Sequence, residues 1–219
     1  MTQPASLEER IDRLEALDQI RQLPAKYALA LDMRDIDAMV NLFALDVRVG
    51  REASGRQALR AYMDSTLRSP FTGTSHHIGG HIIEFDDADH AHGVVYSKNE
   101  HETPVKDGSD EWVIMQMMYL DDYTRGPGPD GPRWHFARRL PLYWYATDLN
   151  KPPVGDKKMR WPGGEWVEGN FHKLFPSFAE FWARQGDYPG PVPEPAPLEK
   201  FLETMRRGAA APKVKVRAD

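Results

Sequence analysis

Apolar and polar positions follow a helical period at the start of the chain. Between Leu7 and Ile20, hydrophobic residues recur at steps of three and four, which predicts an amphipathic helix. Ser6 and Glu9 have the spacing of a capping box, so the helix should begin beside them. Proline removes a helical hydrogen bond, and we therefore expect Pro24 to kink or split this helix.

Two more helices and a short strand are predicted before residue 70. Asp35 is a candidate N-cap for the second helix, and this helical region should extend to residue 45. Residues 46–51 alternate between polar and apolar side chains, as a short strand does. Ser54 and Gln57 form a second capping box, which should open a helix that ends near residue 68.

The period of the pattern changes to two after residue 75. Four alternating segments follow, and we predict strands over residues 76–85, 91–101, 111–123 and 133–145. Helices followed by long strands indicate the α+β class, with N-terminal helices packed on one face of a curved antiparallel or mixed sheet. A curled sheet closed by helices encloses a pocket, so the predicted shape is a cone with an interior site.

The composition shifts toward proline and aromatic residues beyond residue 147. We divide the chain into a domain over residues 1–147 and an extension over residues 148–219, with one helix expected near residues 176–182. Exposed aromatic side chains cost solubility, so the extension should pack on the outer face of the sheet, over the pocket mouth or against a neighbouring subunit. The sequence does not decide among these three places. It favours a homo-oligomer, either a dimer or a trimer.

Charge and cysteine content narrow the classes of partner. With 28 basic and 33 acidic residues the net charge is −5, which disfavours binding to nucleic acid or to an anionic membrane. No apolar stretch reaches the length of a membrane span. The absence of cysteine excludes disulfides and thiolate metal sites and suits a reducing compartment, so we expect a cytoplasmic protein.

Histidine is the main candidate for chemistry, because the sequence has no glycine-rich phosphate loop, nucleophile elbow or metalloprotease helix. His76 stands at the start of a predicted strand, in the segment Thr-Ser-His-His-Ile-Gly-Gly over residues 74–80. Glycines in a strand mark a bend or a close approach of the backbone. His77 and His81 share a face by parity, but no carboxylate is placed beside them, so a metal site is not favoured.

Three segments resemble scytalone dehydratase and other SnoaL-like domains. Residues 74–80 resemble that enzyme's Thr-x-His-Phe-Ile-Gly-Gly segment, and residues 27–37 resemble its Ala-Asp-Ser-Tyr-Asp-Ser-Lys-Asp-Trp-Asp segment. Residues 134–139, Trp-His-Phe-Ala-Arg-Arg, resemble the last strand of SnoaL-like domains generally. The resemblance covers about residues 8–147.

The resemblance implies a choice of activities, because one fold serves many functions. The superfamily includes polyketide cyclases, dehydratases, steroid isomerases and the non-catalytic small subunits of ring-hydroxylating dioxygenases. Some bacterial members that resemble this chain are lyases that release formaldehyde from lignin-derived diaryl compounds. These proteins need no metal or organic cofactor, so the resemblance implies that none is used here.

Family positions carry over to this chain one at a time. The resemblance places the catalytic histidine on His76 and the aspartate that orients it on Asp32. One substrate-binding tyrosine of the family falls on Leu31 and another falls near Arg51, so both are replaced. Arg51 offers a forked, permanently charged donor that can bind an oxyanion.

The remaining family positions fall on the predicted strands. The second histidine falls near Tyr96 or Ser97, and the asparagine of the fourth strand falls near Tyr119. The predicted catalytic residues are therefore His76, Asp32, Arg51, Tyr96 and Tyr119. The predicted substrate contacts are Tyr27, Leu31, His101, Trp112 and Met117.

These residues lead to a functional hypothesis. We expect a cofactor-independent lyase that acts by acid–base elimination on a small hydroxylated aromatic compound, such as a lignin-derived diaryl alcohol, by dehydration or by loss of formaldehyde. Two alternatives stay open, namely a non-catalytic subunit of a larger complex and a polyketide cyclase or steroid-type isomerase. An enzyme should bring Asp32 and His76 together inside the cone, whereas a structural subunit should fill the cone with apolar side chains.

Overall fold

The structure is a computed structural model that describes residues 6–68, 71–104, 110–129 and 131–148, together with residues 157–159, 165, 167–168 and 183. The helices are α1 (Leu7–Asp32), α2 (Ile36–Val40) and α3 (Arg56–Arg68). The strands are β1 (Arg48–Val49), β2 (Ala53–Ser54), β3 (Gly73–Phe85), β4 (His90–Pro104), β5 (Asp110–Gly126), β6 (Arg133–Asp148), β7 (Lys157–Met159) and β8 (Val167–Glu168). The helix expected near residues 176–182 lies outside the described residues.

Helix α1 begins at the predicted capping box. The Ser6 backbone amide donates to the Glu9 carboxylate at 2.6 Å, and the Glu9 amide donates to the Ser6 hydroxyl at 3.1 Å. The helix runs without a break through Pro24, so the predicted split is wrong. Pro24 and its neighbour Leu23 are buried, and we infer that their packing offsets the lost hydrogen bond, because tertiary contacts supply most of a helix's stability.

The apolar stripe of α1 is buried over only part of its length. Leu7 and Leu14 are 71% and 66% exposed, whereas Ala16 and Ile20 lie in the core. Burial of α1 therefore begins at Ala16 and continues to Leu31. The helical period located the helix correctly but could not show where the helix meets the sheet.

The segment after α1 follows the sequence prediction in part. The Ala38 amide donates to the Asp35 carboxylate at 3.0 Å, so Asp35 is the N-cap of α2 as predicted. The strand predicted over residues 46–51 is shorter, because β1 has two residues and pairs antiparallel with β2. Gly50 lies between them with a φ of 64°, a left-handed conformation that glycine adopts without strain, so the chain turns back there.

Strands β3 to β6 form one antiparallel sheet in the order β3–β4–β5–β6. Each strand includes the residues predicted for it, which confirms the predicted order of elements. The register shifts between Ile78 and His81 on β3 and at two places in the pairing of β5 with β6. Bulges of this kind bend a strand and increase its twist, so they contribute to curvature of the sheet.

The helices pack on one face of this sheet and form the main core with it. Ile20 and Met39 from the helices and Phe136 from β6 are fully buried there. The chain after α2 is also bonded to β6, since the Phe136 amide donates to the Leu42 carbonyl and the Ala44 amide donates to the Phe136 carbonyl, both at 2.9 Å. The predicted α+β class, with N-terminal helices on an antiparallel sheet, is confirmed.

Little of the extension beyond residue 147 is described. Strands β7 and β8 pair antiparallel with each other. The domain boundary at residue 147 and the place where the extension packs therefore stay predictions. Within the described part of the chain, no helix is long and apolar enough to cross a membrane.

Two leucines on α1 provide a test of this packing. Leu23 is buried, whereas Leu29 on the same helix is 62% exposed. Truncating a buried leucine leaves a cavity, so Leu23→Ala should lower the free energy of unfolding by about 2–5 kcal/mol. The control Leu29→Ala should change it by less than about 0.5 kcal/mol. Urea unfolding measures both, and equal losses would contradict the described position of α1.

Candidate active site

Neighbouring strands place a row of side chains on the face of the sheet that the helices cover. His76 on β3 is paired with Asn99 on β4, and Asn99 is paired with Met115 on β5. Residues paired across strands point to the same face, so these three side chains are neighbours. The His76 side chain is only 4% exposed, and it meets Asp32 at the C-terminal end of α1.

His76 and Asp32 form a carboxylate–imidazole pair. The His76 ring Nδ1 lies 2.6 Å from Asp32 Oδ1, and the His76 backbone amide donates to Asp32 Oδ2 at 2.8 Å. The Thr74 hydroxyl also donates to Asp32 Oδ1, at 2.9 Å. The predicted contact is therefore confirmed, whereas the catalytic role of the two residues stays a prediction.

Arg34 supports the carboxylate–imidazole pair through Thr74. Its Nη1 donates to the Thr74 hydroxyl at 2.7 Å and to the Leu31 carbonyl at 2.9 Å. Arg34 has a φ of 59°, a left-handed conformation that is strained for a residue with a side chain. Such strain persists only where surrounding contacts hold it, and here the two hydrogen bonds hold it beside the pair.

The protonation state of the pair follows from its contacts. Burial would raise the pKa of Asp32, but the hydrogen bonds from His76 and Thr74 outweigh this effect and hold that pKa below its ordinary value. The carboxylate is therefore ionised at neutral pH and can only accept hydrogen bonds. Nδ1 of His76 must then carry the proton, so the lone pair is on Nε2, which has no hydrogen-bond partner among the described residues.

His101, a predicted substrate contact, lies next to the pair. Its ring packs edge-on against His76, with centroids 5.7 Å apart, and lies at a tilt of 40° against the Phe71 ring, with centroids 4.5 Å apart. Burial, and after it the charge of a protonated His76, lower the pKa of His101 to about 4. His101 is therefore uncharged at neutral pH and presents a neutral polar surface beside the pair.

Tyr119 lies on the same face and is oriented by Asn99. Asn99 Nδ2 donates to the Tyr119 phenolic oxygen at 2.9 Å, and the Ser97 hydroxyl lies 2.5 Å from Asn99 Oδ1. The nearest described acceptor for the Tyr119 hydroxyl is the Met117 sulfur at 3.9 Å, a weak acceptor. Burial raises the pKa of Tyr119, so this residue keeps its proton at neutral pH and can act as a hydrogen-bond donor.

Asn99 is a site residue that the sequence reasoning missed. The resemblance places the family asparagine near Tyr119 on β5, whereas Asn99 is on β4. The available signal was parity, because Asn99 and His101 are two residues apart on one strand and must face the same side.

Two further predicted contacts, Tyr27 and Leu31, belong to the core beneath this face. The Tyr27 ring meets the Tyr119 ring edge-on, with centroids 6.4 Å apart, and packs similarly on Phe43 and Phe136. Leu31 is 3% exposed within the main core. Tyr27 therefore supports the Tyr119 ring from the core, and Leu31 packs within the same core.

Tyr96 and Trp112 point away from the carboxylate–imidazole pair. Tyr96 is 43% exposed and stacks on Trp144, with centroids 6.1 Å apart. Trp112 is 42% exposed. Each stands one residue from an inward-facing position, at Ser97 and Val113 respectively, so strand alternation turns both to the other face.

Arg51 is also not brought to the pair. It lies exposed in the turn between β1 and β2, where its carbonyl accepts a hydrogen bond from Arg48 at 3.1 Å. The left-handed turn at Gly50 separates this segment from the main sheet. Neither Arg51 nor Tyr96 has the position that its predicted catalytic role requires.

Arg139 on β6 occupies the inner face instead. Its side chain is 3% exposed, and its guanidinium carbon lies 3.9 Å from the centre of the Tyr119 ring and 4.5 Å from that of Tyr27. Its partner across the strands is Asp121 on β5. Arg139 belongs to the segment at residues 134–139 that resembles SnoaL-like domains, but two adjacent arginines do not reveal which one points inward.

The histidines considered for a metal site have other surroundings. His77 is exposed, and His81 Nε2 lies 2.9 Å from the Tyr123 hydroxyl. In the part of the chain that the structure describes, no group of three or more histidine, aspartate or glutamate side chains is arranged to hold a metal ion.

Solved structures share this fold at low sequence identity. A proposed scytalone dehydratase from Novosphingobium aromaticivorans is 24% identical, with a TM-score of 0.52 over 65% of this chain and 93% of its own. Hexachlorocyclohexane dehydrochlorinase LinA-type3 from Novosphingobium barchaimii is 17% identical, with a TM-score of 0.55 over 67% of this chain and 98% of its own. A proposed aromatic ring hydroxylase from Novosphingobium aromaticivorans is 20% identical, with a TM-score of 0.50 over 62% and 94%. At these identities the likeness shows the fold alone.

Sequence comparison gives the family. No curated protein matches the chain. The sequence profile described as "SnoaL-like domain" matches residues 12–140, which is more than half of the 219 residues. The matched range contains both residues of the carboxylate–imidazole pair, strands β3 to β5 and the first half of β6. The chain therefore belongs to the family of SnoaL-like domains.

Proposed function

We propose that this chain is a cofactor-independent lyase that eliminates a leaving group from a small hydroxylated aromatic compound. The observation that supports it is the hydrogen bond between Asp32 and His76 Nδ1, which leaves His76 Nε2 unpaired on the helix-covered face. An imidazole whose tautomer is held by an ionised carboxylate is a competent general base at neutral pH.

The base begins the elimination by taking a proton on His76 Nε2. In a dehydration the proton comes from carbon, the C–H electron pair forms a C=C bond, and the neighbouring C–O bond breaks. In a loss of formaldehyde the proton comes from a terminal hydroxyl, whose electron pair forms the C=O bond of formaldehyde. The C–C electron pair then forms the alkene as the benzylic C–O bond breaks. In both reactions the departing hydroxide takes up a proton and leaves as water.

Tyr119 is the donor best suited to the departing oxygen. It keeps its proton at neutral pH, and Asn99 fixes the position of its phenolic oxygen. His101 is uncharged at neutral pH and is therefore a poorer acid. We assign Asn99 as a positioning residue that acts through Tyr119, and Arg34 as one that acts on Asp32 through Thr74.

The side chains that neighbour the pair on this face suit an aryl substrate. The inner face carries an apolar cluster of valine, methionine and aromatic side chains beside the polar residues, namely Val95, Val113, Met115, Met117 and Tyr119, with Phe71 and Tyr143 packed against them. Two of the structural neighbours are named for eliminations, a dehydration and a dehydrochlorination, and the proposed reaction belongs to the same class. A 1,2-diaryl-1,3-propanediol can undergo either proposed reaction.

The first test removes each member of the pair. His76→Ala and Asp32→Asn should each lower kcat by at least about 10²-fold, because a positioned acid or base typically contributes that much. Incubation with 1,2-diaryl-1,3-propanediols, with formaldehyde and alkene measured separately, also distinguishes the two reactions. His77→Ala is the matched control, since His77 is the exposed neighbour and its loss should leave the rate unchanged.

Two outcomes would contradict this proposal. Full activity in His76→Ala, with the fold checked by circular dichroism, would place the base on another residue. No turnover by the wild-type chain with any hydroxylated aryl alcohol would favour the alternative of a non-catalytic subunit.

The second test uses the depressed pKa of Asp32. A carboxyl whose pKa is lower in the folded chain than its ordinary value of 3.8 stabilises the fold above that pH. This contribution is lost as the pH falls from 3.8 through the folded-state pKa. Urea unfolding of the wild type should therefore show a fall in stability over this range that is smaller in Asp32→Asn. An identical pH dependence in both chains would show that Asp32 is not held ionised by His76.

The third test concerns metal ions. Because the proposed steps use only side chains, dialysis against EDTA should leave kcat unchanged within error. A loss of activity that is restored by adding a divalent metal ion would contradict the cofactor-independent reaction, whatever the result of the His76 variants.

A further inference from the structure

Four polar atoms of Arg139 and Asp121 are buried without a hydrogen-bond partner among the described residues. They are Nε, Nη1 and Nη2 of Arg139 and Oδ1 of Asp121. The two side chains are 3% and 0% exposed. The closest approach between them, from Nε to Oδ1, is 3.6 Å, which is too long for a hydrogen bond.

Aromatic rings stabilise the charge of Arg139 but do not satisfy its donors. The guanidinium carbon lies 3.9 Å from the Tyr119 ring centre, 4.5 Å from that of Tyr27 and 4.7 Å from that of Phe136. A cation above a ring is attracted by the electrons of the ring face. The N–H bonds lie in the guanidinium plane and still require oxygen acceptors, and leaving them unmade in a buried site is costly.

The Asp121 carboxylate also needs a hydrogen-bond donor, because its Oδ1 is buried without one in the described part of the chain. Burial lowers the pKa of His81 to about 4, so His81 is neutral, and its Nε2 lies 2.9 Å from the Tyr123 hydroxyl. Tyr123 donates its own proton to Asp121 Oδ2 at 3.1 Å, so His81 must donate to Tyr123. The chain of hydrogen bonds therefore ends at Asp121 as an acceptor, and Oδ1 is left without a donor.

We propose that Arg139 and Asp121 bind a phenolic hydroxyl group of the substrate. The phenol oxygen accepts from the Arg139 guanidinium, and its O–H donates to Asp121 Oδ1. One hydroxyl group thus supplies both the acceptor and the donor that the pair lacks. This assignment rests on the proposed function and names the group by which the aromatic substrate is recognised.

Charge favours a phenol over a carboxylate. Arg139 and Asp121 together carry no net charge when both are ionised, so a bound carboxylate would add an uncompensated negative charge in a buried place. A methyl ether has the acceptor for Arg139 but no donor for Asp121.

The position of Arg139 relative to the carboxylate–imidazole pair is also suitable. The Tyr119 ring contacts Arg139, and the Tyr119 hydroxyl is bonded to Asn99, which is the strand partner of His76.

Binding of three simple aryl compounds tests the assignment. The probes are 4-methylphenol, 4-methylanisole and 4-methylbenzoate, and their Kd values for the wild-type chain are measured by isothermal titration calorimetry. We expect 4-methylphenol to bind about 10–100-fold more tightly than either of the others, the typical effect of a hydrogen bond to a charged group. None of the probes carries an aliphatic leaving group, so the result is independent of whether the chain is a lyase.

Variants locate the bound phenol. Asp121→Asn and Arg139→Gln should each abolish the preference for phenol over anisole. Asp122→Asn and Arg138→Gln are matched controls, because these exposed residues are the chain neighbours on the same two strands and should keep the preference.

Several outcomes would overturn the assignment. Equal affinity for phenol and anisole would show that a water molecule, and not the ligand, fills the place between the two side chains. Tighter binding of benzoate would show an anion site. A preference for phenol that persists in folded Asp121→Asn and Arg139→Gln would place the binding elsewhere, and if neither variant folds, the three Kd values of the wild type decide.

Discussion

The hydrogen bond between Asp32 and His76 is the interaction on which the site depends, because it joins the end of α1 to β3. A carboxylate at the C-terminal end of a helix faces the negative end of the helix dipole, which is unfavourable. Donors from His76 and Thr74 offset this cost and keep the carboxylate ionised. The same contacts hold α1 against the sheet and select the imidazole tautomer, so one interaction serves both packing and the proposed chemistry.

The helix-covered face of the sheet carries buried polar groups beside its apolar ones. Asn99, Tyr119 and Asp121 are buried there together with Arg139. Buried polar groups and charges are costly unless they are fully hydrogen-bonded, and here several atoms lack partners among the described residues. The opposite face also has an apolar cluster, formed by Val94, Met118 and Leu142. We interpret the polar face as stability given up in favour of binding.

Strand parity explains which site residues could be located from the sequence. The contact between His76 and Asp32 was predicted correctly because the His76 motif is short and distinctive, and Asp32 on α1 belongs to a second segment of the same resemblance. Tyr96 is on the same strand as Asn99 but has the other parity, so it faces away from the pair. An alignment without the strand register can be wrong by one residue, and on a strand one residue moves a side chain to the other face. Arg51 does not reach the pair for a different reason. Its segment turns back at Gly50, and β1 pairs with β2 in a separate two-stranded sheet.

By itself, the sequence determined the α+β class, the order of the elements, the capped start of α1 and the contact between Asp32 and His76. These follow from periods and motifs that are local in the chain, and from two segments that share one resemblance. Only the tertiary structure decided that Asn99 orients the tyrosine beside it, and that Arg139 is buried while Arg138 is exposed. The reason is that strand register and the packing of distant segments set which side chains meet, and neither is contained in local periodicity.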